Sequence, residues 1–149
     1  MIRRAEAADL PALASLMAAS PLLQRYRATH DSALDSLTEA LHAGDTLLVS
    51  GHPLDAVAWL TFAPRMLNGA AYLRLLLVAS PGYGIGSKLL RAVEAEAAQH
   101  ARHLYLLVTA DNTRARAFYE RHAYRLVGDL PGLVWADLDE ALYHKRLHG

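Results

Sequence analysis

Apolar residues recur along the first third of the chain at the three- and four-residue spacing of a helix face. Asp9 and Pro11 form a helix-start signal. The Ser20-Pro21 pair predicts the end of this first helix, because the residue before proline is pushed out of the helical region. A second helix is predicted to end at Gly44. The core-facing residues are Leu10, Leu13, Leu16 and Met17 in the first helix and Leu34, Leu37 and Leu41 in the second.

The middle of the chain changes to β-type runs separated by breaks. Thr46–Ser50 and Ala56–Phe62 are joined by a segment with Gly and Pro at 51–55, which predicts a hairpin. After a loop that includes Pro64, the run Ala70–Ala79 is the most apolar of the chain. A run of this kind predicts a central strand.

The second half alternates helices with strands. Its predicted elements are a helix at 85–97, a buried strand at Leu104–Thr109, a helix from 111 to about 122, and two strands around Leu126–Val127 and Leu142–Leu147. A hairpin followed by alternating helices and strands predicts a mixed α/β (α+β) fold. We expect a partly antiparallel sheet of about six to seven strands with about four helices.

Composition narrows the class of protein. The 149 residues predict one domain, 1–149, with 53% apolar and 20% charged residues. Lys+Arg and Asp+Glu number 15 each, so net charge favours neither nucleic acid nor a membrane surface as a partner. Cysteine is absent, which excludes disulfides and thiolate metal sites, and the eight histidines predict no metal site. The charged N-terminus and the shortness of the longest apolar run predict a cytoplasmic protein.

The most informative segment joins the central strand to the following helix. It reads Pro81-Gly82-Tyr83-Gly84-Ile85-Gly86-Ser87, with three glycines in five positions. Glycines allow a positive φ and close approach of a ligand, and a helix N-terminus suits a phosphate or pyrophosphate. Taken alone, such a loop is equally compatible with a tight turn that binds nothing. A Walker loop would need glycine at Pro81, and a dinucleotide fingerprint would need glycine at Ser87, so neither pattern is met.

A second motif lies about 25 residues further on. Asp111-Asn112-Thr113 can cap a helix that begins after the next strand and carries Ala115, Phe118 and Tyr119 inward. If the strands before the two helices are parallel neighbours, both helix starts lie at one edge of the sheet, where α/β proteins bind ligands.

Together these motifs make the sequence resemble the GNAT superfamily of N-acetyltransferases across nearly its whole length. Gly84-Ile85-Gly86-Ser87-Lys88-Leu89-Leu90 is similar to the family's acetyl-CoA loop. Asn112, Ala115 and Phe118-Tyr119-Glu120 match a second motif at the expected separation, and Tyr124 stands where the family usually has an aromatic residue.

The resemblance implies a transfer of an acetyl group from acetyl-CoA, as co-substrate, to a primary amine without an acyl-enzyme. It implies that Tyr119 protonates the departing thiolate, that Asn112 binds pantetheine, and that the Val78 N–H polarises the thioester carbonyl. The other cofactor-binding residues it implies are Leu77, Gly82, Tyr83, Gly84, Ile85, Gly86 and Ser87. Homodimers are common in the family.

Three departures from the family pattern change the expectations. Pro81 and Tyr83 replace residues that are usually polar or basic, so phosphate binding would depend more on main-chain N–H groups. Ala123 replaces the customary glycine. The face of the central strand that carries Arg74 has no carboxylate to act as a base. Either water relays the proton, or the acceptor is a weakly basic amine such as an α-amino group.

The amine acceptor, a small molecule or a peptide, is predicted to meet four residues: Arg25, Tyr26, His30 and Arg74. The first three are expected between the first two helices, with Arg27, and would suit an acidic acceptor. Two other functions stay open at this point. A non-catalytic acyl-CoA sensor would keep the loop and lose turnover, and a nucleotide-binding regulatory module would prefer ATP or a dinucleotide to CoA.

Overall fold

The computed structural model describes residues 1–62 and 67–149. The predicted loop position Pro64 lies outside them. The strands are β1 (Ile2–Arg4), β2 (Thr46–Gly51), β3 (Leu54–Phe62), β4 (Ala71–Val78), β5 (His103–Thr109), β6 (Arg125–Trp135) and β7 (Leu138–Arg146). The helices are α1 (Leu10–Ala18), α2 (Pro21–Arg25), α3 (His30–His42), α4 (Ile85–Ala98) and α5 (Thr113–Arg121), with a 3-10 turn at Ala7–Asp9.

The strands follow the order β1-β2-β3-β4-β5-β7-β6, with β4 in the middle as predicted. β4 pairs with β5 in parallel, whereas β2 with β3, β5 with β7 and β6 with β7 are antiparallel. The mixed, partly antiparallel sheet predicted from the sequence is thereby confirmed. The parallel pair is also the one on which the expected ligand-binding edge depends.

The chain forms two compact units, and each is built from two separate segments. The first comprises Met1–Thr61 and Leu75–Ala95, and the second comprises Phe62–Arg74 and Glu96–Gly149. The boundary passes through β4 and through α4.

In the first unit, α1 and α3 pack against β2 and β3. The buried residues of this core are Leu10, Leu13, Ala14, Met17, Ala33, Leu37, Ala40, Leu47, Val49, Val57 and Trp59. Leu75 and Leu77 of β4 pack against the same core. The face of β4 that carries them is apolar because it contacts this core. α3 ends as predicted, with Gly44 at φ +81° after it.

The number of helices in the described residues is five, one more than predicted, and the additional helix is α2. Ser20 and Pro21, interpreted from sequence as a stop signal, also start this helix. The Ser20 side chain accepts a hydrogen bond from the Leu23 N–H at 3.3 Å, and proline suits the first helical position because its missing N–H is not needed there.

In the second unit, a long β6–β7 hairpin continues the sheet beyond β5. The prediction of two short strands was wrong in extent, because Asp129, Pro131 and Gly132 interrupt the alternation of apolar and polar residues in β6. β6 accommodates them through register shifts, and its place as the last strand means that Pro131 need not donate to a further strand.

A single domain remains a prediction, and its unfolding tests it. We expect one cooperative transition in urea, with circular dichroism and tryptophan fluorescence giving the same midpoint. The reason is that two secondary elements, β4 and α4, belong to both units, so neither unit has a complete set of strands and helices alone. Two transitions with different midpoints would contradict a single domain.

Candidate functional site

The glycine loop opens the N-terminus of α4. Gly82 and Gly84 have φ of +100° and +75°, a region that other residues enter only with strain. The hydrogen-bond ladder of α4 begins with the Lys88 N–H donating to the Gly84 oxygen at 3.2 Å. The amides of Ile85 and Gly86 precede that bond, so they lie in the part of a helix whose N–H groups have no intrahelical acceptor.

The loop is an open main-chain surface and not a closed cavity. Residues 80–84 are exposed, Tyr83 with 78% of its surface accessible, and a Cβ placed on Gly82 or Gly84 would meet no atom within 4 Å. Cavities of about 310 and 380 Å³ occur elsewhere, at the C-terminal end of α4 and beside α1 and α3, and no predicted site residue lines either. The room around the glycines is what a phosphate group needs to reach backbone N–H groups.

Leu77 and Val78 lie half-buried at the end of β4, in the same unit as the loop. Just beyond them, the Ala79 N–H donates to the main-chain oxygen of Asp55 at 2.7 Å. Pairing with β3 therefore continues to the start of the glycine loop. In the parallel ladder, Ala71, Tyr72 and Leu73 of β4 pair with residues of β5. β4 extends beyond the last of these pairs, to Val78.

Asn112 has a structural role at the start of α5. It is the N-cap, and its side-chain oxygen accepts the Ala115 N–H at 3.1 Å. Its side-chain NH₂ group is the part left to bind a ligand. Tyr119 follows seven residues later, near the C-terminal end of α5.

Tyr119 is the one buried residue of α5, with 8% of its surface exposed. Its ring makes edge contacts with Phe118 and Tyr124, at centroid distances of 5.1 and 5.5 Å. Burial raises the pKa of its hydroxyl, so the phenol holds its proton throughout the physiological range.

A hydrogen-bond network ties α5 to the strand beneath it. The Tyr143 hydroxyl donates to Glu120 Oε2 at 2.7 Å and accepts from Arg116 Nε at 3.1 Å. Arg116 Nη1 also donates to the Ala110 oxygen at 2.9 Å, just before the helix. Because these bonds tie α5 to Tyr143 of β7 and to the end of β5, they fix the helix that carries Tyr119. Sequence reasoning did not identify this network.

The predicted acceptor residues lie in two places. Arg25 ends α2, Tyr26 follows it and His30 begins α3, all in the first unit. The sequence placed them in a simple loop, which is wrong for Arg25 and His30 because α2 and the Thr29 cap of α3 extend the helices into this segment. Arg74 lies exposed on β4, in the second unit.

Two further features of the second unit were missed by sequence reasoning. Glu140 of β7 is only 3% exposed, and it is the one buried carboxylate among the described residues. Nothing in its sequence neighbourhood marks it, since the exposed Asp139 precedes it. His103 Nδ1 lies 2.8 Å from His144 Nε2, a hydrogen bond between two strands that are distant in sequence. In the described ranges, no group of three or more His, Asp or Glu is arranged to hold a metal ion.

Comparison with known proteins gives the family. The sequence model of the acetyltransferase (GNAT) family matches residues 16–124, more than half of the chain. No helix in the part of the chain that the structure describes has the length and apolar character needed to span a bilayer.

Solved structures with the same fold include three bacterial acetyltransferases. A ribosomal-protein-alanine N-acetyltransferase from Brucella melitensis is 22% identical, with a TM-score of 0.78 over 98% of this chain and 99% of that one. An N-acetyltransferase from Staphylococcus aureus Mu50 is 21% identical, with a TM-score of 0.79 over 99% and 98%. An acetyltransferase from Salmonella typhimurium, solved with its cofactor acetyl-CoA, is 19% identical, with a TM-score of 0.77 over 100% and 94%.

Proposed function

This chain belongs to the GNAT family of acetyltransferases, and we propose that it transfers the acetyl group of acetyl-CoA to a primary amine by direct attack. The observation that carries the proposal is the open loop between β4 and α4. Its two positive-φ glycines have open space around them, and the first-turn amides of α4 lie where a helix offers no intrahelical acceptor. This arrangement fits the diphosphate of CoA, and the acetyl-CoA-bound Salmonella relative has the same fold.

When bound, acetyl-CoA supplies an activated acetyl thioester, and residues of this chain orient it. Amides of Gly82, Gly84 and Gly86 would bind the diphosphate. Successive residues of a strand direct their N–H groups to opposite edges. Because the Ala79 N–H points to β3, the Val78 N–H is expected to point to the other edge, where it would donate to the thioester oxygen as negative charge develops there.

Tyr119 would give its proton to the sulfur that leaves. The raised pKa of this phenol ensures that the proton is present at neutral pH. A phenol is a weaker acid than a thiol in water, but the burial that opposes ionisation of Tyr119 also makes a free thiolate costly beside it, so a proton donated to the sulfur as it leaves would lower the cost of that charge. The chain has no cysteine, which agrees with attack by the amine itself and not by an enzyme thiol.

The test combines binding with turnover. Acetyl-CoA at 100 times its Kd is expected to stabilise the protein by about 2.7 kcal/mol, visible as a raised Tm, while ATP and NAD have no such effect. A panel of peptide and small-molecule amines is then tested for release of CoA with a thiol reagent, which finds no protein thiol to react with. Absence of stabilisation by acetyl-CoA would refute the proposal. Stabilisation without turnover on any amine would favour the sensor function.

A further inference from the structure

A cavity of about 310 Å³ lies in the second unit, where three segments of the chain meet. These segments are the turn before β4, the connection from the end of α4 to the start of β5, and the C-terminal tail. Its volume is at the lower end of the range for ligand pockets, so it suits a small ligand. The polar side chains that line it are Asn68, Gln99, His100, Arg102, His103 and His148.

The lining of this cavity offers positive charge and hydrogen-bond donors. Arg102 is a permanent cation, the histidines can each become cations, and Asn68 and Gln99 bring side-chain NH₂ groups. None of the described residues that line the cavity is an aspartate or a glutamate. The chain as a whole has equal numbers of Lys+Arg and Asp+Glu, so this lining is a local excess of positive charge that favours an anion.

Hydrogen bonds hold the C-terminal tail at the cavity. The Leu147 N–H donates to the main-chain oxygen of Arg102 at 2.7 Å, and Arg146 Nε donates to the His148 oxygen at 3.3 Å. His148 Nε2 lies 3.1 Å from the Ala98 oxygen. Because a carbonyl oxygen only accepts, this nitrogen carries a proton, and Nδ1 of the same ring is left for a ligand.

The end of α4 beside the cavity has its last carbonyl groups already paired. Free carbonyls at a helix C-terminus carry partial negative charge and favour a cation. Here the main-chain oxygens of Glu96, Ala97 and Ala98 each accept a hydrogen bond, the first two from main-chain N–H groups and the third from His148. These hydrogen bonds offset the negative end of the helix, so it does not prevent an anion from binding.

His103 lines the cavity with one of its two ring nitrogens engaged. Its Nδ1 lies 2.8 Å from His144 Nε2, which leaves His103 Nε2 for a ligand. Burial lowers the pKa of His144, and the neighbouring His103 adds to this effect. A proton added to the pair is therefore expected on His103, where it increases the positive charge of the lining.

We propose that this cavity is a binding site for a phosphate group. The site does not depend on the proposed acetyl transfer, and it shares no residue with the glycine loop. The guanidinium of Arg102 can bind two phosphate oxygens side by side, as it does in bidentate pairs. A phosphate group has further oxygens for donors from the other two segments, such as Asn68 and His148, whereas a carboxylate has none left.

Calorimetric titration at constant ionic strength tests the site with inorganic phosphate and with glucose 6-phosphate. At least one of the two is expected to bind, and the tighter of them tells whether free phosphate or a phosphate ester is the ligand. Glucose is expected not to bind, and succinate is expected to bind more weakly than the better phosphate probe. Failure of both phosphate probes to bind, or succinate binding as tightly as they do, would overturn the proposal.

Charge variants assign the binding to the cavity. Arg102→Gln is expected to weaken binding of the better phosphate probe about 10-fold or more, because it removes the bidentate cation. Arg121→Gln removes the same charge from the exposed end of α5 and is the matched control, with an affinity expected within about twofold of the wild type. Unchanged binding by Arg102→Gln, or an equal loss in Arg121→Gln, would contradict the site.

Histidine ring signals in NMR spectra give a second and independent test. At constant pH, the better phosphate probe is expected to shift the ring signals of His103 and His148, which single His→Gln variants assign. The ring signals of His30 and His42, which lie in the first unit, are expected to stay unchanged. Shifts of equal size in both units, or none at His103 and His148, would refute phosphate binding in this cavity.

Discussion

Replacement of Tyr119 by phenylalanine is expected to lower kcat about 100-fold and to leave the KM for acetyl-CoA nearly unchanged. The phenyl ring keeps the edge contacts with Phe118 and Tyr124, so packing in the buried cluster is preserved. What disappears is the proton that the thiolate would receive. Initial rates at saturating amine, with acetyl-CoA varied, give the two constants separately.

Tyr124→Phe is the matched control, because it removes a second hydroxyl from the same aromatic cluster and is expected to keep kcat within about twofold. The pH dependence supplies an independent check. Because burial raises the pKa of Tyr119, the wild type is expected to show no loss of rate between pH 8 and 10 from ionisation of this phenol. A Tyr119→Phe enzyme with normal kcat, or one that loses acetyl-CoA binding and kcat together, would contradict the role of Tyr119 as the acid.

Gly84→Val is expected to weaken acetyl-CoA binding by about 10- to 100-fold. Gly84 has φ +75°, where a β-branched residue is strained by about 1–3 kcal/mol. The new side chain would also fill the open space through which the diphosphate reaches the amides of the loop. Isothermal titration with acetyl-CoA measures the effect directly.

Gly44→Val provides a control for strain. Gly44 has φ +81°, and a Cβ there also meets no atom within 4 Å, but it lies after α3, at a position with no predicted role in binding. Both variants should lose a similar free energy of unfolding, and only Gly84→Val should lose affinity for acetyl-CoA. Equal affinities in the two variants would mean that the glycine loop is a structural turn.

Local signals predicted the elements of the chain well where the relevant interaction spans a few residues. α3 ends just before Gly44, the Gly-Pro segment joins β2 and β3 in a hairpin, and Asn112 caps α5. The two mistakes in the fold have the same origin. Ser20-Pro21 satisfies the rules for ending one helix and for starting another, and Pro131 is tolerated in a strand only when that strand lies at an edge.

The candidate site also has one part that the local sequence indicates and another part that depends on residues far apart in the chain. The spacing of Gly82, Gly84 and Gly86 is itself a constraint on backbone conformation, so the sequence was sufficient to indicate a turn with positive φ before α4, and the binding of a phosphate group there stays a prediction. The network of Arg116, Glu120 and Tyr143 joins residues 23 and 27 positions apart, and no local pattern marks it.

The sequence by itself determined the element types, the position of β4 in the sheet, the glycine loop and the family, because backbone preferences and hydrophobic periods act within a few neighbouring residues. Only the tertiary structure decided that Tyr119 is buried with a raised pKa and that Glu140 stands on the same sheet face as Tyr72. Burial and charge at those positions depend on strand register. Register is set by contacts between segments far apart along the chain, and a shift of one residue would turn Glu140 to the other face.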